Sequence, residues 1–134
     1  MLVKRLTLRN NATMDTELAH AGGFCPRYHH AVELIGRRWT GAIIRAMLGG
    51  VTRFSDLAEI VPGLSDRMLS ERLKELEAEG IVERTVFPDT PVRIEYHVTD
   101  KGRALAGVVD SIAAWAEHWL PLEQAAPTAG APTP

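Results

Sequence analysis

The chain has a single cysteine, Cys25, which stands directly before Pro26 at the predicted start of a helix. Proline is favoured at the first helical position. The sulfur should therefore lie beside unpaired backbone N–H groups and the positive end of the helix dipole. That environment favours the thiolate, the form of cysteine that reacts with oxidants, quinones and aldehydes. Cys25 is a candidate sensor of such compounds, and an inert, half-buried cysteine is the alternative.

The same helix start could also bind a metal ion. Cys25 and His29 are four residues apart on one helix face, with His30 adjacent and His20 upstream. They could bind Zn²⁺, Ni²⁺ or Cu⁺ if a second copy of the chain supplied further ligands. Because one chain offers no identifiable complete ligand set, we expect no metal site and no cofactor.

Enzymatic chemistry has little support in the sequence. A nucleophilic Cys25 paired with a histidine would need a third, orienting group, and none is evident. The chain also lacks a glycine-rich phosphate loop, an HExxH motif and paired carboxylates in a credible pocket. We therefore expect no catalytic residues and no enzyme activity.

A second set of useful side chains lies on the polar face of a predicted helix, DRMLSERLKELEAE, over residues 66–79. Ser65 is the predicted N-cap of this helix, and Gly80 is expected to end it. The opposite face is an apolar stripe with a spacing of four and then three residues, made by Leu69, Leu73 and Leu76. A helix of this kind can read base edges in a major groove, although a solvated surface helix has the same pattern.

The neighbouring elements favour the DNA-reading interpretation. A helix predicted over residues 52–61 comes first, and Pro62 and Gly63 then force the short turn typical of a helix-turn-helix. Two predicted strands, 81–87 and 92–98, follow and flank a stiff PDTP tip. In the second strand apolar and polar residues alternate, which predicts one buried face made by Val92, Ile94, Tyr96 and Val98. The order is that of a winged helix-turn-helix, a mainly α fold with a small β-hairpin, whose wing cations would be Arg84 and Arg93.

Three further helices are predicted, over 26–35, over 39–48 and from an N-cap at Thr99 onwards. The last of these carries an apolar stripe with alternating spacings of three and four, made by Leu105, Val108, Val109, Ile112, Trp115 and Trp119. Such a stripe is typical of a helix that packs lengthwise on a partner. We interpret it as a homodimer interface to which the first helix contributes, and packing within one domain is the alternative.

Length and composition suit one packed domain with extensions, since the chain has 134 residues and a hydrophobic fraction of 46%. We place the domain at residues 23–120, between an N-terminal extension (1–22) and a Pro-, Ala- and Thr-rich tail (121–134) that we expect to be disordered. No apolar run is long enough to span a bilayer, and no secretory signal is recognisable. We therefore expect a cytoplasmic protein with no membrane partner.

The net charge of −2 argues mildly against DNA binding, for which a basic domain is usual. The charges are unevenly distributed, however, and an arginine-rich stretch could form a positive face on a neutral protein. This stretch contains Arg27, Arg37, Arg38, Arg45 and Arg53.

Six ordered segments resemble the HxlR-type winged helix-turn-helix regulators, which are relatives of the MarR type. They are the CP opening, IG-x-x-WT, RFSDL, PGLS, LSERLKELE-x-x-GIVER and EY-x-x-T-x-x-G, and the match runs from Cys25 to about Trp119. The resemblance implies a homodimer formed by the first and last helices that binds duplex operator DNA. It identifies the wing as Pro88–Arg93. The DNA-binding residues expected are Ser65, Arg67, Met68, Ser70, Glu71 and Lys74 in the second helix, together with Arg53 and Arg93.

Some members of that family sense electrophiles or oxidants through a cysteine at the start of the first helix, the position that Cys25 occupies. The resulting hypothesis is a repressor that responds to an electrophile or oxidant through Cys25. A winged-helix regulator that responds to a metal or to another small-molecule effector is the alternative.

Overall fold

The computed structural model describes residues 23–122. The expected N-terminal extension and all but the first two residues of the expected tail lie outside the described residues, as does His20 of the hypothetical metal site. The contacts divide the described chain after Arg37 into two units.

The first unit contains helix α1, Pro26–Gly36, close to the predicted range of 26–35. Cys25 is its N-cap and Pro26 its first helical residue. None of the residues of α1 is buried. Leu34 and Ile35 are half-buried, whereas Tyr28 and Val32 are exposed.

The second unit is mainly helical with one hairpin. Its elements are α2 (Thr40–Leu48), α3 (Phe54–Ile60), α4 (Asp66–Ala78), β1 (Val82–Phe87), β2 (Arg93–Val98), α5 (Asp100–Arg103) and α6 (Ala106–Trp119). The two strands are antiparallel, in a register that runs from Val82 opposite Val98 to Phe87 opposite Arg93. Over residues 23–122, none of the helices combines the length and the apolar character needed to cross a bilayer.

The helix-turn-helix is confirmed and lies on the core of this unit. The leucine stripe of α4 is buried, together with Leu57 of α3 and both isoleucines of α2. Gly63 turns the chain between α3 and α4 with φ of 83°, a left-handed conformation that glycine adopts without steric cost. Burial of one face of each helix leaves the polar face of α4 to solvent.

The start of α3 differs from the predicted range of 52–61, because Thr52 lies outside the helix and Arg53 is extended. The Thr52 carbonyl accepts a hydrogen bond from the Tyr96 N–H at 2.8 Å, so this residue pairs with β2 instead of joining the helix. Arg53 is the N-cap of α3. The backbone of the hairpin base thus holds the entry to the helix-turn-helix.

The buried strand face predicted for Val92, Ile94, Tyr96 and Val98 is only partly present. Val92 precedes β2 and is exposed, whereas the other three are half-buried. A two-stranded sheet has no further strand beside it to cover the tip. Arg93 and Glu95 on the other face are half-buried as well, so the clean division into one buried and one exposed face that alternation predicts is not present.

The last predicted helix is two helices. Thr99 caps α5 by accepting the Gly102 N–H at 3.1 Å, as expected, but the chain leaves the α-helical pattern at Ala104 and Leu105 before α6 begins. Gly102 is pressed so close to the hairpin base that a Cβ there would lie 2.3 Å from the Ile81 carbonyl oxygen. Through this contact α5 packs against the hairpin base, and after the break α6 packs on α2.

The apolar stripe of α6 divides into two faces. Val109 is buried, and Ala113 and Ala116, which lie on the same side of the helix, are half-buried. The second face, about 100° away at 100° per residue, is exposed and is formed by Val108, Ile112, Trp115 and Trp119. One face therefore packs inside the unit, as the alternative interpretation expected, and the homodimer interface stays a prediction for the face whose larger side chains are exposed.

Candidate nucleic-acid interface and cysteine site

The N-terminal end of α4 is capped and accessible. The Ser65 hydroxyl accepts a hydrogen bond from the Met68 N–H at 3.1 Å, as its position predicts. Asp66 lies in the first turn, where its charge is favourable. The first turn of the helix is thus held rigidly while its outer side faces solvent.

The expected DNA-binding residues of α4 extend from its N-cap, Ser65, as far as Lys74 in its C-terminal half. Arg67 and Lys74 are exposed, and Arg67 makes one loose ion pair with Glu71, with 3.5 Å between Nε and Oε2. The Arg67 side chain is 90% exposed, so solvent screens that pair. Spacings of three, four and seven residues put Arg67, Ser70, Glu71 and Lys74 on one side of the helix. Ser70 and Met68 are half-buried.

The wing arginine Arg93 is not a free cation. Its Nε lies 3.0 Å from Asp89 Oδ2, its Nη1 pairs with Glu95 Oε2, and its guanidinium lies 3.9 Å above the centre of the Phe87 ring. The hydrogen bond to Asp89 and then that to Glu95 raise the pKa of Arg93 above its usual value. Two carboxylates offset its charge, which weakens the expectation that Arg93 binds a phosphate.

Glu95 extends this cluster down the strand. Its Oε1 lies 2.8 Å from His97 Nε2, and its side chain is 16% exposed. The hydrogen bond with His97, followed by that with Arg93, lowers the pKa of Glu95 against the opposing effect of burial. The alternation of Arg93, Glu95 and His97 along one strand face was the signal for this cluster. We refer to Asp89, Arg93, Glu95 and His97 as the wing cluster.

Arg53 and Arg84 are exposed cations at the hairpin. Arg53 lines an open groove of about 380 Å³ together with the wing tip, including Val92 and Arg93. Arg84 lies opposite Tyr96 in the hairpin register, and within the described residues it has no ion pair. These two arginines fit the role of phosphate contacts better than Arg93 does.

Cys25 lies at the start of α1, as the Cys-Pro pair predicts. Its sulfur accepts a hydrogen bond from the Tyr28 N–H at 3.5 Å, and the residue is half-buried. The rings of Phe24 and His29 contact each other at a tilt of 54°, with 5.1 Å between their centres. Within residues 23–122 there is no group of three potential metal ligands among His, Cys, Asp and Glu.

Two features of the second unit had no counterpart in the sequence analysis. Arg72 of α4 is buried, and its Nε donates to the Arg38 carbonyl at 2.9 Å while its Nη1 donates to Glu75 Oε2 at 3.2 Å. Trp39, directly after Arg38, has φ of 79°, a left-handed conformation rare for a bulky residue. The only sequence signal for Arg72 was its place between Leu69, Leu73 and Leu76, on the edge of the apolar stripe.

An open groove of about 490 Å³ lies between the C-terminal end of α2 and the start of α6. Its walls combine apolar side chains with two cations and one acid, and include Arg45, Leu48, Arg103, Val109 and Asp110. The size is within the range of small-molecule sites.

Comparison with known proteins adds a family relationship to this geometry. A family model described as HxlR-like helix-turn-helix matches residues 34–124. The helix-turn-helix-type transcriptional regulator YvaP of Bacillus subtilis is 52% identical over 96 residues, which make up 72% of this chain and 89% of that protein.

Two redox-related regulators are similar in structure. The reduced form of the transcriptional regulator YodB from B. subtilis superposes with a TM-score of 0.66 at 45% identity, covering 73% of this chain and 96% of that chain. YodB has also been solved after diamide treatment and with quinone bound. The redox regulator HypR in its oxidised form gives a TM-score of 0.65 at 36% identity, covering 69% of this chain and 95% of that chain.

Proposed function

The chain belongs to the HxlR-like helix-turn-helix family and is a transcriptional regulator of the helix-turn-helix type, and from this premise we propose a more specific function. It works as a cytoplasmic homodimer that binds a palindromic duplex operator and represses transcription. An electrophile or oxidant that modifies Cys25 changes its affinity for that operator. The observation that carries the proposal is the capped α4, whose leucine face is buried and whose polar face is accessible.

The proposal for DNA reading rests on the side chains of the polar face of α4 and of its N-cap. The planar guanidinium of Arg67 can donate two hydrogen bonds to the edge of a guanine, and the ammonium of Lys74 can bind a phosphate or a guanine. Ser65, Met68, Ser70 and Glu71 complete the face that would enter the major groove. Arg53 and Arg84 supply phosphate contacts at the hairpin, with the wing cluster holding the tip in shape.

The proposal for a homodimer rests on apolar side chains that each unit leaves uncovered. In α6, Ile112 and Trp115 are 53% and 59% exposed. In α1, Tyr28 is 72% exposed and Val32 is also exposed four residues later. Contiguous exposed apolar stripes of this kind mark protein–protein interfaces, and a two-fold dimer would present two α4 helices to successive half-sites of a palindrome.

The proposal for the sensor rests on Cys25 as the N-cap of α1 and on the chemistry of its relatives. A half-buried thiol that accepts a backbone N–H is accessible to a small electrophile. The relative YodB has been solved with quinone bound and after diamide treatment, which supports a quinone or a thiol oxidant as the compound that modifies Cys25. Modification at a dimer interface would change the separation of the two reading helices, and both half-sites could no longer be bound together.

Selection of genomic fragments on the purified protein, followed by sequencing, tests the DNA-binding proposal. On the selected duplex, Arg67→Ala should weaken binding by about 1–3 kcal/mol and relax the preference at one base position. Lys74→Ala and Arg84→Ala should weaken binding to all duplexes alike and flatten the salt dependence. Arg93→Ala should leave that slope nearly unchanged, because its charge is already paired. Failure of every one of these variants to alter binding would contradict the assigned DNA face.

A response to a non-covalent effector is the second candidate, supported by the groove between α2 and α6. Its lining has two arginines, Arg45 and Arg103, against one acid, Asp110, and this excess of positive charge beside an apolar wall suits a small organic anion. A metal as effector is tested by adding a chelator to the operator-binding assay. If operator binding is altered by small carboxylates in wild type and in Cys25→Ser alike, the effector acts in the groove and not on the thiol.

A further inference from the structure

Arg72 is the only charged residue that is buried in the part of the chain that the structure describes. It stands on the reading helix α4, between leucines that are themselves buried. Burial of a charge is unfavourable unless hydrogen bonds and an opposite charge replace the lost water. A buried arginine on the helix that faces DNA therefore needs a structural explanation.

The explanation lies in the two directions in which the guanidinium donates. Nε reaches the carbonyl of Arg38, 34 residues away in the chain, at 2.9 Å. Nη1 reaches Glu75 one turn further along α4, at 3.2 Å. A planar fork can make both bonds at fixed angles, whereas the single ammonium of a lysine cannot reproduce that geometry. Arg72 thus ties the middle of α4 to the turn directly before α2.

The turn that receives this bond is held in an unusual conformation. Trp39 has φ of 79°, and the guanidinium of Arg38 lies 4.7 Å above the centre of its ring. Thr40 follows as a fully buried first residue of α2. A left-handed conformation at a bulky residue persists only where its surroundings hold it in place. The Arg72 hydrogen bond is one of those restraints.

The leucine stripe alone would not define the orientation of α4 closely. Apolar contacts are non-directional, so they favour burial of a face without selecting one rotation of the helix. A directional hydrogen bond to a fixed carbonyl selects one. Arg67 and Lys74 lie five residues before and two residues after Arg72 on the same helix, so any rotation of α4 moves both.

We propose that Arg72 is the positioning residue for operator recognition, which sets the rotation of α4 by anchoring it to the Arg38 carbonyl. The inference rests on the proposed DNA-binding function. It assigns to Arg72 an effect on sequence discrimination without any contact to DNA.

The test compares Arg72→Lys, Arg72→Met and wild type at a temperature at which circular dichroism shows all three to be fully folded. Affinity is measured on the selected operator and on a scrambled duplex over a range of salt concentrations. We expect both variants to lose about tenfold in affinity for the operator, similar to the loss of one base contact, with no change on the scrambled duplex. The salt slope should stay at the wild-type value, because no phosphate contact is removed.

Glu75→Gln is the matched control, since it removes the ion pair and keeps the bond from Arg72 to the Arg38 carbonyl. It should bind the operator within about twofold of wild type. Amide hydrogen exchange without DNA gives an independent measurement. In Arg72→Met, exchange should become faster in α4 and at residues 38–40, and in Glu75→Gln it should not.

Wild-type operator affinity in both Arg72 variants would overturn the inference. An equal loss on both duplexes with a shallower salt slope would also overturn it, because Arg72 would then be a phosphate contact. A wild-type protein without preference for any duplex would instead refute the proposed function. In that case unchanged hydrogen exchange in Arg72→Met would refute the anchoring of α4 as well, and faster exchange would uphold it.

Discussion

At the scale of single residues, the described side chains differ in the number and strength of the ion pairs and hydrogen bonds that they already make within the protein. Arg67 has one loose, solvated partner, whereas Arg93 is held by two carboxylates and an aromatic ring. Two arginines that look alike in the sequence therefore have different capacities to bind DNA. The same reasoning applies to Cys25, whose sulfur accepts a long hydrogen bond of 3.5 Å from the Tyr28 N–H.

For Cys25, we expect Cys25→Ser to fold and to bind the operator like wild type, because serine is a good N-cap and nearly isosteric. Treatment with diamide or a quinone should change operator affinity in wild type and leave the variant unaffected. The measurement is operator binding before and after treatment, with thiol added to reverse any disulfide. An undiminished response in Cys25→Ser would locate the sensor elsewhere.

For Glu95, the lowered pKa predicts a pH dependence of stability. The carboxyl group binds its proton less readily in the folded state than in the unfolded state, where its pKa has the usual value of 4.5. Its contribution is therefore complete above about pH 4.5 and is lost as the pH falls through the lower, folded pKa.

Thermal unfolding of wild type between neutral pH and pH 3 should show this loss, and Glu95→Gln should show a shallower decline over the same range. Glu77→Gln, on the exposed side of α4, is the control and should follow wild type. Identical pH profiles for wild type and Glu95→Gln would show that the wing cluster does not contribute.

At the scale of elements, the hairpin base is the point where several parts of the second unit meet. Thr52 pairs with β2, and Thr99 and Lys101 donate hydrogen bonds to the carbonyls of Gly80–Ile81 and of Glu79. The end of α4, the wing and α5 are thus joined at one place. The wing is therefore positioned relative to α4 by hydrogen bonds that backbone and side-chain donors make to backbone carbonyls.

Gly102→Ala should be strongly destabilising, because its Cβ would lie 2.3 Å from the Ile81 carbonyl oxygen, which cannot move aside. We expect a loss of about 1–3 kcal/mol in the free energy of unfolding. Gly107→Ala is the matched control in α6, where a Cβ meets nothing within 4 Å. It should be neutral or stabilising by about 0.5–1 kcal/mol. Urea unfolding measures both, and equal effects would contradict the close packing of α5 on the hairpin.

At the scale of the whole molecule, the uncovered face of α6 is the strongest indication of a partner. The side that packs on α2 uses Val109 and small alanines, whereas the large side chains Ile112, Trp115 and Trp119 are left in water. Burying these three side chains would stabilise a complex by roughly 25 cal/mol for each Å² of apolar surface removed from water. If a second copy of the chain packed against this face about a two-fold axis, the exposed face of α6 in each copy would be covered by the other copy.

Ile112→Glu and Trp115→Glu should convert a dimer into a monomer at micromolar concentration, because each buries a charge in the proposed interface. Ala114→Glu is the control, since it adds the same charge on the same helix about 120° from the exposed stripe. Sedimentation velocity distinguishes the two states. A wild-type monomer at that concentration, or a dimer that survives both substitutions, would refute the interface.

The sequence by itself determined helix α4, its Ser65 cap, the order of helix, turn, helix and hairpin, and the place of Cys25 at a helix start. Each of these depends on neighbours within a few residues, through capping, periodicity and the backbone preferences of proline and glycine. Such local signals are complete within the segment that carries them.

Only the tertiary structure decided which apolar face of α6 stays uncovered, where the last helix breaks, and which arginines are already paired. Arg72 donates a hydrogen bond to a carbonyl 34 residues away, and Gly102 lies too close to the Ile81 carbonyl to carry a side chain. Periodicity shows that a helix face is apolar but does not identify what covers it. All arginines are equivalent in the sequence, and only the fold brings hydrogen-bond partners within reach of some of them.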